Sequence, residues 1–180
     1  MTLLIPDLNS LAAEIHQQNV DAGWWDEHLP DNKADRYEDA MMLVVTELSE
    51  ATEGARKDLM DDKLPAEKMF DVEMADAMIR LLDLAGAYKV DLDFVEGAVP
   101  NARAAMKYFK TPLQHIRCAV RMSCLARKEN AITSTIEAVI AIADTYDVDL
   151  WRLVAEKRAF NRTRKDHTRE ARAAEGGKKW

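Results

Sequence analysis

Two short motifs place carboxylates one helical turn apart, Glu47-Leu48-Ser49-Glu50 and Glu73-Met74-Ala75-Asp76. On an α-helix residues i and i+3 share a face. Glu47 lies one turn from Leu43 and Ala51, and Asp76 one turn from Val72 and Ile79, so both pairs flank an apolar seam. If the two helices are antiparallel neighbours, four carboxylates converge. Like charges 4 Å apart at an effective dielectric near 20 repel by about 4 kcal/mol per pair. Such a cluster persists only with protonated members or a neutralising cation. Oxygen donors without His or Cys among them suit a hard cation, Mg²⁺ first and Mn²⁺ second. Di-iron bundles use Glu-x-x-His pairs, and neither motif carries that histidine. One Glu-x-x-Glu alone is ordinary on a solvated helix, and Glu53, Asp58, Asp61 and Asp62 are read as solvated acids of that kind. The weight rests on two pairs on consecutive helices.

A cationic partner set lies far along the chain. Lys157, Asn161 and Arg164 follow one another at spacings of four and three, which puts them on one helical face. An ammonium, an amide and a planar guanidinium together suit phosphate oxygens. Standing alone they would read as a basic helix end complementing the helix dipole. Beside an acid cluster they suggest a polyphosphate held between a cation and cationic side chains. Gly23-Trp24-Trp25-Asp26 offers two adjacent indoles in a glycine turn, either a plug of the core or a surface on which a base stacks. His16 reads as a neutral histidine beside the core.

The elements that must position these residues read as helices throughout. Only 6 Gly and 5 Pro occur, and the prolines stand between apolar stretches. Segments are expected at about 8–21, 36–60, 65–88, a piece over 91–110 broken at Pro100, 112–127 with Thr111 as N-cap, 134–146 with Ser134 and Glu137 as a capping box, and from about 149 onward. Met74, Met78, Leu81, Leu82 and Ala85 form the third segment's stripe. No stretch sustains a period of two, so the fold class is all-α, an antiparallel helix bundle with short loops. Ala85, Tyr88, Val90, Asp91 and Leu92 match Ala143, Tyr146, Val148, Asp149 and Leu150 at one constant offset. That is a faint internal repeat, with chance likeness of helix ends as the alternative.

Composition bounds the rest. Of 180 residues, 48% are hydrophobic and 32% charged, with 25 Lys+Arg against 32 Asp+Glu for a net charge of −7. An acidic chain argues against nucleic acid as a partner. No apolar run is long enough to span a bilayer and no signal peptide opens the chain, so no membrane partner is expected. Cys118 and Cys124, six apart in an expected helix, read as reduced thiols of a cytoplasmic protein. Residues 157–180 hold nine Lys/Arg and three Asp/Glu, a basic end on an acidic body. One domain over 1–180 is expected: a metal-binding helical unit at 8–92, an inserted or degenerate helical repeat at 93–150, a phosphate-binding helix end at 151–168 and a basic tail at 169–180.

The ordered set of His16, Gly23-Trp24-Trp25, Glu47-x-x-Glu50, Glu73-x-x-Asp76 and Lys157 through Asn161 and Arg164 resembles the MazG-like, all-α nucleoside triphosphate pyrophosphohydrolases, the phage and small bacterial members above all. The resemblance covers 11–92 and 148–165, with Gly176-Gly177-Lys178 echoing a glycine-rich end. It implies Mg²⁺-dependent cleavage of a nucleoside triphosphate to a monophosphate and pyrophosphate. By that likeness Glu47, Glu50, Glu73 and Asp76 would be metal ligands, Glu50 also the base that accepts the water's proton, and Lys157, Asn161 and Arg164 the phosphate contacts. Base preference stays open. A catalytically inactive nucleotide- or partner-binding module of the same fold is the alternative. The chain departs from the compact pattern by the whole stretch 93–150, which stands before the Lys/Asn/Arg segment. The offset of the internal repeat sets Ala131 and Ser134 opposite Glu73 and Asp76, and a match of Ala55-Arg56-Lys57 to Ala126-Arg127-Lys128 sets Cys118 and Arg121 opposite Glu47 and Glu50. A second copy would therefore lack the acids, as in the dimeric dUTPase relatives. That leaves open whether the chain forms a homodimer or carries the equivalent contact within itself.

Overall fold

The computed structural model describes residues 4–26, 33–168 and 170–171, with residues 33–35 as backbone only. The glycine-rich echo at 176–178 and nearly all of the basic tail lie outside the described residues. Among those described there are seven α-helices and no strand, as the sequence pattern requires: α1 Leu8–Asp21, α2 Lys33–Lys57, α3 Met69–Tyr88, α4 Val95–Met106, α5 Pro112–Ser123, α6 Lys128–Thr145 and α7 Leu150–Thr163. None is long and apolar enough to cross a membrane.

Local chemistry fixes the ends. Asp7 caps α1, its carboxylate accepting from Ser10 N at 3.0 Å and Ser10 Oγ at 2.7 Å. Thr111 caps α5 as expected, with Oγ1 accepting from Gln114 N at 3.3 Å and Pro112 opening the first turn. α2 stops at Lys57 because Asp58 turns left-handed, φ 52°. α3 and α6 end alike. Lys89 and Asp147, equivalent positions of the repeat, have φ 53° and 54°, and in each case the following amide (Val90 or Val148) donates to the carbonyl five residues back (Ala85 or Ala143) at 2.9 Å. The correspondence seen in the sequence is thus also an identity of backbone endings.

Four expectations are corrected. Pro65 does not open α3, which begins four residues later. The 58–68 connection folds on itself instead, through Met69 N to Leu59 O at 2.9 Å and Asp61 N to Glu67 O at 3.0 Å. Asp61 is not a solvated acid but the buried pin of that loop, its Oδ1 accepting from Lys63 N and Leu64 N. Pro100 does not break the 91–110 piece. It sits inside α4 with Glu96, and both are exposed, so the Glu96 carbonyl that loses its helical donor can be hydrated. α6 begins at Lys128 and not at Ser134, which lies mid-helix, because Ala131 and Ile132 are buried and extend the apolar face backwards.

α3 is the axis of the fold. Its buried Met74, Met78, Leu81 and Leu82 meet α1, α2, α6 and α7, while α6 packs on α4 and α5, and α2 touches α5. The arrangement is reciprocal: α4, which follows α3, packs on α6, and α7, which follows α6, packs on α3. Gly86 marks the closest approach. A Cβ there would stand 2.6 Å from His16 Cβ and 2.7 Å from Ala12 O, so only glycine lets α1 lie this tightly on α3.

Candidate functional site

The polar faces of α2 and α3 meet where α7 crosses α3, and a cavity of about 500 Å³ opens there. All nine residues singled out in the sequence line it: Trp24, Trp25, Glu47, Glu50, Glu73, Asp76, Lys157, Asn161 and Arg164. Segments near opposite ends of the chain, the glycine turn after α1 and the end of α7, are thereby brought to one wall.

At its inner end carboxylate oxygens of Glu47, Glu73 and Asp76 lie within 4.8 Å of one another. Glu50 is not in this triad. It stands exposed at the rim, near enough to Glu47 to be affected by its charge. Glu73 is 4% exposed and its Oε2 has no hydrogen-bond partner. Burial, with the charges of Asp76 and Glu47 added, pushes its carboxyl up to about 9, so at neutral pH without a cation it holds its proton. Burial also raises Asp76, to about 6, against the opposing pull of Lys157. Glu50 is raised by partial burial and by Glu47. Three convergent carboxylates with one buried oxygen lacking any donor form an all-oxygen donor set that fits a hard divalent cation.

The cations of the site are paired. Lys157, 2% exposed, sets Nζ 2.7 Å from Asp76 Oδ2. Arg80 Nε donates to Glu47 Oε1 at 2.5 Å. Arg164, one residue past α7, holds Asp166 with two hydrogen bonds of 3.0 and 2.6 Å. Asn161 keeps a buried Oδ1 without a partner.

The outer end is built on Asp83. Its carboxylate meets His16 Nδ1 at 2.8 Å and accepts from Asn19 Nδ2 at 2.8 Å and Trp25 Nε1 at 3.0 Å, tying α1 and the glycine turn to α3. Trp25 is half-buried. One edge is anchored, and the Arg36 guanidinium lies over the ring at 4.0 Å. Arg36 also donates to the Trp24 carbonyl, and Trp24 meets His167 edge to face at 5.3 Å.

Sequence reading missed Arg36, Lys63, Arg80, Asp83 and His167, all on the cavity wall. Three of them had a signal. Glu73, Asp76, Arg80 and Asp83 recur at three, four and three, so the polar stripe of α3 simply runs two turns further. Arg36 likewise continues the α2 face through Leu43, Glu47 and Glu50. Lys63 sits in a loop and His167 in a 3₁₀ turn, where no period points to the cavity. Comparison with known proteins finds no matching family model, no matching curated protein and no matching solved structure.

Proposed function

We propose that the chain is a Mg²⁺-dependent nucleoside triphosphate pyrophosphohydrolase of MazG-like type, releasing a nucleoside monophosphate and pyrophosphate, with Mn²⁺ able to substitute. The observation that carries this reading is the buried Glu73, whose Oε2 has no hydrogen-bond partner, in a triad with Glu47 and Asp76 whose carboxylate oxygens lie within 4.8 Å of one another. A cavity of about 500 Å³, with acids at one end and an anchored indole at the other, has the size for a nucleotide.

Glu47, Glu73 and Asp76 would hold the cation, with Glu50 completing the set from the rim. The bound cation would polarise phosphoryl oxygens and lower the pKa of a water. The chain's own groups do the rest. Lys157, Asn161 and Arg164 meet the phosphates and orient the chain of anhydrides. Trp24 and Trp25 would stand beside the base, with the Arg36 guanidinium lying over the Trp25 ring. As the water oxygen bonds to one phosphorus of the α–β anhydride, the bridging P–O bond to that phosphorus breaks, its electron pair leaves with the other fragment, pyrophosphate or the nucleoside monophosphate, and one proton of the water passes to Glu50. Partial exposure leaves Glu50 room for that proton.

One observation favours the second reading, a nucleotide- or partner-binding module without turnover. Glu47 and Asp76 already have cationic partners in Arg80 and Lys157. The decisive assay is pyrophosphate release with Mg²⁺ from a panel of ribo- and deoxynucleoside triphosphates. Wild type is expected to turn over at least one, and Glu50→Gln to lose activity by about 10²-fold or more. No release from any member overturns the enzymatic reading, and equal rates for both proteins overturn the role given to Glu50.

A further inference from the structure

We propose that Lys157 and Arg80 are tethered counter-cations of the acid cluster, occupying Asp76 and Glu47 in the absence of a divalent ion and yielding them, to turn to phosphate, when one arrives. The inference rests on the metal and phosphate reading given above and concerns the order in which that site fills.

A lysine 2% exposed is rarely left waiting for a ligand; burial at that depth requires a fixed partner. Lys157 has one in Asp76 at 2.7 Å, and Arg80 has Glu47 at 2.5 Å. Two of the three converging carboxylates are thus neutralised from within, while Glu73 keeps a bare buried oxygen. A cation drawing on all three must displace an ammonium and a guanidinium. Both side chains line the cavity in which a polyphosphate would lie, so what leaves the acids stays within reach of phosphate oxygens. The reverse step is unfavourable alone, because phosphate drawing Lys157 away would leave Asp76 buried and uncompensated. Cation and polyphosphate therefore bind with positive coupling, each tightening the other by the same factor. The Lys157–Asp76 pair is the more deeply buried of the two, so its exchange carries the larger share.

The test uses the full chain stripped of metal, with Mn²⁺ alone and inorganic pyrophosphate as probes, read by calorimetry and by the Mn²⁺ electron paramagnetic resonance signal. Four proteins are compared: wild type, Lys157→Met, Arg80→Met and Lys63→Met. Lys63 lines the same cavity but pairs with Asp62 at 2.7 Å, so it reports the general field of a nearby positive charge. Lys157→Met is expected to bind Mn²⁺ about tenfold tighter than wild type, Arg80→Met about threefold and Lys63→Met under about twofold. Pyrophosphate should bind wild type about tenfold or more tighter with Mn²⁺ than without, and most of that gain should vanish in Lys157→Met. Arg80 is partly exposed, so its variant is informative even if removal of the buried lysine unfolds the chain. Unchanged or weaker Mn²⁺ binding in Arg80→Met and in any folded Lys157→Met overturns the exchange, and so does an equal gain in Lys63→Met. A wild type that binds no Mn²⁺, with or without pyrophosphate, overturns the metal reading itself, an outcome distinct from normal binding that the variants fail to change.

Discussion

Glu73→Gln should stabilise the metal-free protein at neutral pH while depriving it of its response to metal. In the folded chain the Glu73 carboxyl is raised from its ordinary value of 4.5 to about 9, chiefly by burial. A carboxyl with a raised folded pKa binds a proton on folding. It costs nothing below pH 4.5, where both states are protonated, and the cost grows as pH rises towards about 9. At pH 7.5 the interval above the unfolded value is about three pH units, which at 1.36 kcal/mol per unit is on the order of 4 kcal/mol; relaxation around the acid brings the expected effect to about 2–4 kcal/mol. Glutamine has the same shape and never ionises, so it carries no such cost. For a chain of this size the gain corresponds to a Tm higher by about 5–15 °C. Melting followed by circular dichroism in EDTA from pH 4 to 8.5 checks it. The difference should be near zero at pH 4 and largest at the alkaline end. Added Mg²⁺ or Mn²⁺ should raise the Tm of wild type and leave Glu73→Gln nearly unmoved. Coincident melting curves across the range, or a variant less stable than wild type at pH 7.5, would refute the burial argument for this carboxyl.

Asp83→Ala removes the common acceptor of His16, Asn19 and Trp25, and should lower stability by about 2–4 kcal/mol, with a shift in tryptophan fluorescence that denaturant titration can follow. Gly86→Ala must push α1 off α3, because the new Cβ meets Ala12 O and His16 Cβ at 2.7 and 2.6 Å, and a loss of about 1–3 kcal/mol should appear as a lower urea midpoint. Since α6 carries Ala131 and Ser134 where the internal repeat would set Glu73 and Asp76, calorimetry with a slowly hydrolysed nucleotide and Mn²⁺ should give about one site per chain and not two.

The helical class, the Thr111 cap with Pro112 in the first turn, and the pairing of the acids on one helical face were legible because each rests on a short-range rule: a period, a cap or a one-turn spacing. α3 shows how far such a rule reaches. Its apolar stripe predicts the core, and its polar stripe at 73, 76, 80 and 83 predicts the cavity wall, of which the acid motif covers only the first half. What stayed hidden depends on contacts made through space. Nothing local tells that Lys157 of α7 lies against Asp76 of α3, or that Asp61 turns inward to pin a loop that reads as solvated. Pro100 hides its place inside α4 for a related reason. A helix tolerates proline where the orphaned carbonyl can be hydrated, and exposure is a property of the fold, not of the residue.

The reciprocal packing sets a charged helix, α3, against an apolar counterpart, α6. α3 and α6 are each followed by a left-handed residue, Lys89 and Asp147, and carry each other's following helix. On α6 the positions matching Glu73, Asp76 and Arg80 are Ala131, Ser134 and Ala138, and both alanines are buried. Those positions carry no charge on α6, which packs on α4 and α5. On α3 the acids gather, and α7 packs there with Lys157 and Asn161 on the cavity wall. An open, charged groove costs stability through desolvation and repulsion. The apolar half, with Ile132, Ile136, Ile140 and Ile142 wholly buried, supplies compensating apolar burial. Charge thus gathers on α3 and apolar mass on α6, and burial of the second offsets part of the desolvation that the acid cluster costs.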